Sequence, residues 1–219
     1  MAEATLVISS KNYSSWSLRG WLLTKWSGLD FDEAIESPDD PGVRAELLLR
    51  SSSILVPSLI HQGRSIWDTM AIAEYLHEIR PEAGLLPQDA TARARCRSIC
   101  GEMHSGFVAL RSALPMNLKA ATKAGFVVWS EAQADIDRIL KIWADCLAIW
   151  HGPYLFGEKP TVADAMYAPV CTRFQTYDVK PTGDAAAYCA RILALPSMVE
   201  WITAARAEPE AVPELDFEF

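Results

Sequence analysis

Leu55-Val56-Pro57-Ser58-Leu59-Ile60, then His61-Gln62-Gly63-Arg64, then Ser65-Ile66-Trp67-Asp68-Thr69-Met70-Ala71-Ile72: this stretch decides how the chain is read. Two short apolar runs flank a polar turn containing glycine, which is the pattern of a β-hairpin. The spacing that follows, Ile72, Tyr75, Leu76 and Ile79, is that of an amphipathic helix. Asp68 and Thr69 therefore stand where a strand gives way to a helix. The first turn of a helix presents unpaired N–H groups and the positive end of its dipole, so backbone and the Thr69 hydroxyl can hold a ligand carboxylate there. Asp68 beside it can accept a ligand ammonium, and the two together match the substituents on an amino acid's α-carbon. Pro57 opens the preceding strand, where a missing N–H is tolerated. A cis bond at that proline would turn the chain sharply and leave the Val56 N–H and C=O free to pair with an extended peptide ligand. Singly, these residues are ordinary helix caps and strand starts. At this spacing they point together to a site for a small peptide with a free amino-acid end.

Working outward, half of the 219 residues are hydrophobic and 22% are charged, enough apolar sequence for a well-buried core in one large or two small domains. The net charge of -8 and the pI near 5.0 argue against a nucleic-acid backbone or an anionic membrane surface as partner, since both call for a basic face. The N-terminal residues Met1 to Thr5 run straight into Leu6-Val7-Ile8 without a basic flank, so no signal peptide is expected. No segment approaches the roughly 18 apolar residues of a membrane span. Cys96, Cys100, Cys146, Cys171 and Cys189 are an odd set without a Cys-x-x-Cys pair, which reads as reduced structural thiols in a cytoplasmic protein. His61, His77, His104 and His151 are dispersed, and no metal site is expected.

Upstream, Leu6 to Ser9 reads as a strand and Trp16 to Trp26 as a helix closed by Ser27-Gly28, with Phe31 to Ile35 a second, edge-type strand. Val43 to Leu49 reads as a short helix after a Pro/Gly loop. Downstream, a Pro/Gly-punctuated connector separates an α/β domain, residues 1–80 with a linker over 81–89, from a helical one over 90–219. The expected helices are Ala90 to Leu114, a weaker segment over Asn117 to Lys123, Ser130 to Trp150, one opened by Thr161-x-x-Asp164 and kinked at Pro169, Ala185 to Leu195 and Ser197 to Ala205. An acidic tail follows from Glu208, expected along the surface.

With these residues in view, the chain resembles the soluble glutathione transferases over essentially its whole length. The most specific parts are Val56-Pro57-Ser58-Leu59, Asp68-Thr69-Met70-Ala71-Ile72-Ala73-Glu74-Tyr75-Leu76, and Phe156-Gly157 through Asp164. The resemblance implies an α/β thioredoxin-like N-terminal domain with an all-α C-terminal domain, a cis Pro57, glutathione as co-substrate without metal, and a cytoplasmic homodimer. It puts the Val56 backbone against the cysteinyl part of glutathione and Asp68-Thr69, in place of the usual Glu-Ser or Gln-Ser, at the γ-glutamyl end. Ser14-Ser15-Trp16-Ser17-Leu18-Arg19 resembles the zeta-type Ser-Ser-Cys-Ser-Trp-Arg run, which puts Ser14 in the catalytic position with Ser15 close behind and Ser17 as a helix cap. A hydroxyl beside helix N–H groups stabilises the glutathione thiolate and lowers the thiol's pKa. Cysteine is absent from that loop, so mixed-disulfide chemistry is disfavoured. Gly101 to Phe107 resembles the beta-type helix from which a histidine reaches glutathione, which makes His104 a further binding candidate. Trp16, Met103, Phe107 and Arg111 are candidates for the acceptor-substrate pocket, because such pockets are mostly apolar with a few polar groups.

The implied activity is conjugation of the glutathione thiolate to a small, largely apolar electrophile. Two other readings stand beside it: a glutathione-dependent cis-trans isomerase of the maleylacetoacetate isomerase type, and a non-catalytic binding or assembly module. Leu55, where a basic or polar residue commonly assists glutathione, keeps the last in play.

Overall fold

The computed structural model describes residues 2–35 and 55–209. The helix expected at Val43–Leu49 and the tail beyond residue 209 lie outside the described residues. Strands β1 (Ala4–Ile8), β2 (Phe31–Ile35), β3 (Ser58–His61) and β4 (Arg64–Trp67) form one sheet in the order β2-β1-β3-β4. β2 is parallel to β1, β3 is antiparallel to β1, and β4 is antiparallel to β3. Hence β4 runs the same way as β1. The C-terminal ends of β1 and β4 and the N-terminal end of β3 therefore share one end of the sheet, aligned along Val7, Ser58 and Trp67. As its acidic residues foretold, β2 is an edge strand with Asp32 and Glu33 exposed. The β3–β4 turn is tighter than the four polar residues suggested. His61 and Arg64 pair in the ladder, which leaves Gln62 (φ 51°) and Gly63 (φ 75°) to make a two-residue hairpin turn.

Helices α1 (Ser15–Ser27) and α2 (Thr69–Ile79) pack with the sheet, and a single turn at Pro81–Ala83 leads to the helical part. That part comprises α3 (Ala90–Ser105), α4 (Val108–Ala113), α5 (Ser130–Trp150), α6 (Val162–Thr176), α7 (Gly183–Leu193) and α8 (Pro196–Ala207). Gly28 ends α1 in the left-handed conformation (φ 74°) and donates its N–H to the Lys25 carbonyl.

Two expectations are corrected. Ala90 to Leu114 is not one helix but two, parted at Gly106, which is extended, and Phe107, which is left-handed (φ 55°). Asp135 Oδ2 accepts the Leu110 N–H at 2.9 Å, giving α4 a cap of its own from α5, and a Cβ on Gly106 would stand 2.7 Å from the Glu102 carbonyl oxygen. The Asn117–Lys123 segment is not helical either. The Asn117 side chain accepts the N–H groups of Lys119 (3.2 Å) and Ala120 (3.1 Å), local bonds that compete with a helix.

α6 is buried along nearly its whole length and continues through Pro169 without a break. Its capping box is present, and it does more than cap. Asp164 Oδ2 accepts from the Thr161 N–H (2.7 Å) and hydroxyl (3.0 Å), while Oδ1 accepts from the Leu155 N–H (3.1 Å) and the Tyr188 hydroxyl (3.0 Å). Burial pushes the Asp164 carboxyl up and those four bonds pull it back down. All five cysteines are buried and free. Burial raises the thiols of Cys100 and Cys171 well above the ordinary value and that of Cys146 to about 11.

Where α1 crosses the start of β3, the fit is close. A Cβ on Gly20 would lie 2.5 Å from Pro57 Cγ and 2.7 Å from Pro57 Cβ. Helix propensity favours alanine there by about 1 kcal/mol, but overpacking a rigid ring costs roughly 1–3 kcal/mol. Gly20→Ala is therefore expected to destabilise on balance, read as a lower urea midpoint at unchanged slope. Asp164→Ala strands four buried donors at once and is expected to cost about 3 kcal/mol or more in the same measurement.

Candidate active site

The loop after β1 and the first turn of α1 bring Ser14, Ser15 and Ser17 to the shared end of the sheet, and the structure gives each a different job. Ser14 is the N-cap of α1: its Oγ accepts the Ser17 N–H at 3.2 Å and donates to Ser17 Oγ at 2.9 Å. Ser17 is fully buried, and its Oγ also accepts the Ser9 N–H at 3.0 Å, so it braces the loop instead of capping the helix. Ser15 is buried and turned toward Arg19, whose Nη1 donates to its hydroxyl at 3.2 Å and its carbonyl at 3.3 Å. Ser14 alone of the three is half-buried at the helix entrance, where first-turn N–H groups favour negative charge.

Arg19, only 1% exposed, has no carboxylate partner among the described residues. Its Nε donates to the Met166 carbonyl (2.8 Å) and its Nη2 meets Met103 Sδ (3.3 Å), which ties α1 to α6 and α3. Burial, then the nearby Arg173 and Arg111, push the Arg19 guanidinium well below its ordinary pKa. Arg173, also buried, donates to the Leu114 carbonyl at 2.6 Å, and burial lowers it to about 10. Trp16 is the side chain around which this charge gathers: the Arg19 guanidinium lies 4.5 Å and that of Arg111 5.7 Å from its ring. Among the described residues, none of these three arginines forms an ion pair.

Trp16 also meets His104 of α3, ring centroids 5.1 Å apart. His104 Nε2 donates to Asp68 Oδ2 at 2.6 Å, and Asp68 Oδ1 accepts the Met70 N–H at 2.8 Å as the N-cap of α2. Asp68 is thus cap and site residue together, and an ionised carboxylate with four lone-pair positions retains room for a ligand. Its backbone lies at φ 75°, ψ 130°, a region that costs a non-glycine residue about 1–3 kcal/mol and clusters at functional sites. Thr69 follows as the buried first residue of α2. Val56, joined to Pro57 by a cis bond, stands just before β3, outside the ladder, which begins at Ser58. Leu55 beside it is 62% exposed.

Trp16, His104 and Asp68 are thus linked by contact, with Thr69 next to Asp68 in the chain, Ser14 two residues from Trp16 and Pro57 against Gly20 on the helix that Ser14 caps. The pocket candidates divide. Trp16 and Arg111 are half-buried beside the site, whereas Met103 is wholly buried under Arg19 and Phe107 forms the break before α4. Sequence reading passed over Arg173, whose signal was a lone cation in an otherwise apolar helix, and the bracing role of Ser17, visible only as a serine three residues after Ser14. Among the described residues no three His, Cys, Asp or Glu side chains gather as metal ligands would, and no single helix is long and apolar enough to cross a membrane.

Comparison with known proteins fits this geometry. The glutathione S-transferase N-terminal domain family matches residues 13–79, and the glutathione S-transferase C-terminal domain family matches residues 91–204. A probable maleylacetoacetate isomerase of Caenorhabditis elegans is 31% identical over 116 residues, 52% of this chain and 53% of that protein. The maleylacetoacetate isomerase of Rattus norvegicus is 32% identical over 124 residues, 57% of this chain and 56% of that protein. The chain thus spans about half the length of the curated relatives it matches. In fold, it superposes on a Burkholderia glutathione transferase homologue with bound glutathione at a TM-score of 0.69, with 24% identity, covering 94% of this chain and 99% of that one. A thioredoxin-like sheet domain followed by an all-helical domain, matched in both halves, means that the chain belongs to the glutathione S-transferase family.

Proposed function

We propose that this protein is a glutathione transferase in which the Ser14 hydroxyl stabilises the glutathione thiolate for attack on a small electrophile. The observation that carries the reading is the meeting of two helix N-termini, at Ser14 and at Asp68-Thr69, at one end of the sheet, with the Val56 strand start, outside the β1–β3 ladder, between them in sheet order. Val56 offers the N–H and C=O of a strand start to the cysteinyl backbone. The α2 N-terminus with the Thr69 hydroxyl suits the γ-glutamyl carboxylate, and Asp68 suits its ammonium. His104, hydrogen-bonded to Asp68, orients that carboxylate. Ser15 is the weaker candidate for thiol activation because it is buried and turned toward Arg19; the Ser14 hydroxyl, which donates to Ser17 Oγ, turns its proton to the thiolate when glutathione binds.

The positive field of Arg19, Arg111 and Arg173 adds to the effect of Ser14, since cations near a thiol favour its ionised form. Trp16 supplies apolar wall to the acceptor side, with Phe107 and Met103 as the packing behind it. A homodimer in the cytoplasm is part of the same reading. Titrating the ultraviolet absorbance of the thiolate across pH is the direct test. Wild type should bind glutathione with its thiol pKa below that of the free tripeptide, and Ser14→Ala should move it back by about one unit or more. Binding without a shift in wild type would leave the binding-module reading in its place.

One observation favours the isomerase alternative, in which the thiolate adds reversibly to a double bond of an acidic substrate. Arg111 is half-buried, lies against Trp16 and has no acidic partner among the described residues, so a substrate carboxylate can take that role. The relatives named maleylacetoacetate isomerases lend it weight. Loss of a charge-assisted hydrogen bond is worth about 1.5–3 kcal/mol. Arg111→Ala should accordingly raise KM for a carboxylate-bearing electrophile ten-fold or more and leave KM for a neutral one within two-fold. Turnover of an acidic diene without net consumption of glutathione separates isomerisation from conjugation.

A further inference from the structure

The loop that carries Ser14 is held by the far end of the chain. Glu208, the residue after α8, places its carboxylate against three consecutive residues of that loop. Oε1 accepts the Lys11 N–H at 2.7 Å, and Oε2 accepts the Asn12 N–H at 3.2 Å and the Ser10 hydroxyl at 2.8 Å. Ser10 passes the restraint on. Its Oγ accepts the N–H groups of Asn12 (3.1 Å) and Tyr13 (3.4 Å), and its carbonyl accepts the Ser14 N–H at 3.0 Å. The backbone that enters α1 at Ser14 is thus threaded through a carboxylate supplied almost 200 residues later.

Other contacts fix Glu208 itself. Lys119 Nζ donates to the Glu208 carbonyl, and the Lys119 N–H donates to the Asn12 side chain at 2.9 Å, so the same lysine touches both clamp and loop. Trp201, wholly buried in α8, donates its indole N–H to the Lys11 carbonyl at 3.0 Å, which sets the distance between helix and loop. Lys11 is 8% exposed, Asn12 is fully buried, and Lys11 Nζ pairs with Glu33 of β2. In that setting the two N–H groups bound by Glu208 have no ready substitute in solvent. A carboxylate suits the position better than a neutral acceptor, because consecutive N–H groups before a helix form a concave, partly positive nest.

We propose that Glu208 is a positioning residue for the Ser14 hydroxyl: the C-terminal end of α8 sets the conformation of the catalytic loop. This rests on the reading of Ser14 as the thiolate-stabilising group. The two can fail separately, and the experiment is arranged to show which does.

The test compares wild type, Glu208→Ala, Glu208→Gln, Ser14→Ala and, as a control on the same helix, Glu200→Ala, which pairs with Lys25 at the surface. Each is titrated with glutathione for the thiolate pKa and assayed with an activated aryl halide for kcat and KM, with a thermal midpoint and amide hydrogen exchange over residues 10–17. Glu208→Ala should lower kcat about ten-fold, the scale of a small misplacement of a reacting group. It should raise the bound thiol's pKa in the direction of Ser14→Ala, leave KM for glutathione within about two-fold, and speed exchange at Lys11, Asn12 and Ser14. Glu208→Gln, which keeps one acceptor oxygen, should fall between, and Glu200→Ala should match wild type. A purely structural role would lower the midpoint and the active fraction while the thiol pKa of the folded protein stayed at the wild-type value, and that result overturns the proposal. If Ser14→Ala itself leaves the thiol pKa unmoved, the Ser14 reading falls and the positioning role falls with it, whatever the exchange rates do.

Discussion

A buried guanidinium that meets no carboxylate among the described residues is the constraint on which the rest of this architecture turns. Arg19 sits on α1, spends its donors on the Met166 carbonyl of α6, the Met103 sulfur of α3 and its own helix, and is nearly inaccessible to water. Burying a charge this way costs several kcal/mol unless its donors are met, and here neutral acceptors from both halves of the molecule meet four of its five N–H groups. The first helix is thereby pinned to the helical part at one fixed depth and rotation. That rotation decides what the neighbouring residues face. Ser15 is drawn inward to Arg19, Trp16 lies over the guanidinium and reaches His104, and Ser14 is left at the helix entrance.

The sheet imposes the complementary constraint. Because β4 runs with β1 and β3 against both, the start of β3 and the ends of β1 and β4 fall on the same side. The residues that follow β1 and those that border β3 and β4 thereby become neighbours. Gly20 and Pro57 then set the spacing between helix and strand, the absence of a side chain on one making room for the ring of the other. The strained backbone at Asp68 belongs to the same arrangement, held by a cap bond on one oxygen and by His104 on the other.

How much of this was legible in the sequence follows from the range of each interaction. The hairpin, the end of α1 at Gly28, the whole of α5 and the Thr161–Asp164 box are written in neighbouring residues, and each was readable as local chemistry. The break at Gly106 was not. Met103, Phe107, Leu110 and Leu114 keep a helical spacing straight across it, so periodicity reports one helix where a cap from Asp135 makes two. At the site, Ser14, Asp68 and His104 could be nominated from local patterns and family resemblance. Their linkage through Trp16 could not, nor could the distinct environments of Ser14, Ser15 and Ser17, because these depend on Arg19 bonding to residues more than eighty positions away. The contact of Glu208 with the loop is the extreme case of the same limit.

The burial of all five cysteines acquires a meaning once the protein's proposed chemistry is considered. A catalyst that holds a reactive thiolate next to electrophiles exposes its own sulfur atoms to the same reagents. Keeping each thiol inside the packed helices, with Cys100, Cys146 and Cys171 held in their protonated and poorly nucleophilic form, removes those competitors from the reaction. On that proposed chemistry the helical domain is chemical insulation as well as scaffold, leaving the co-substrate's sulfur as the exposed nucleophile.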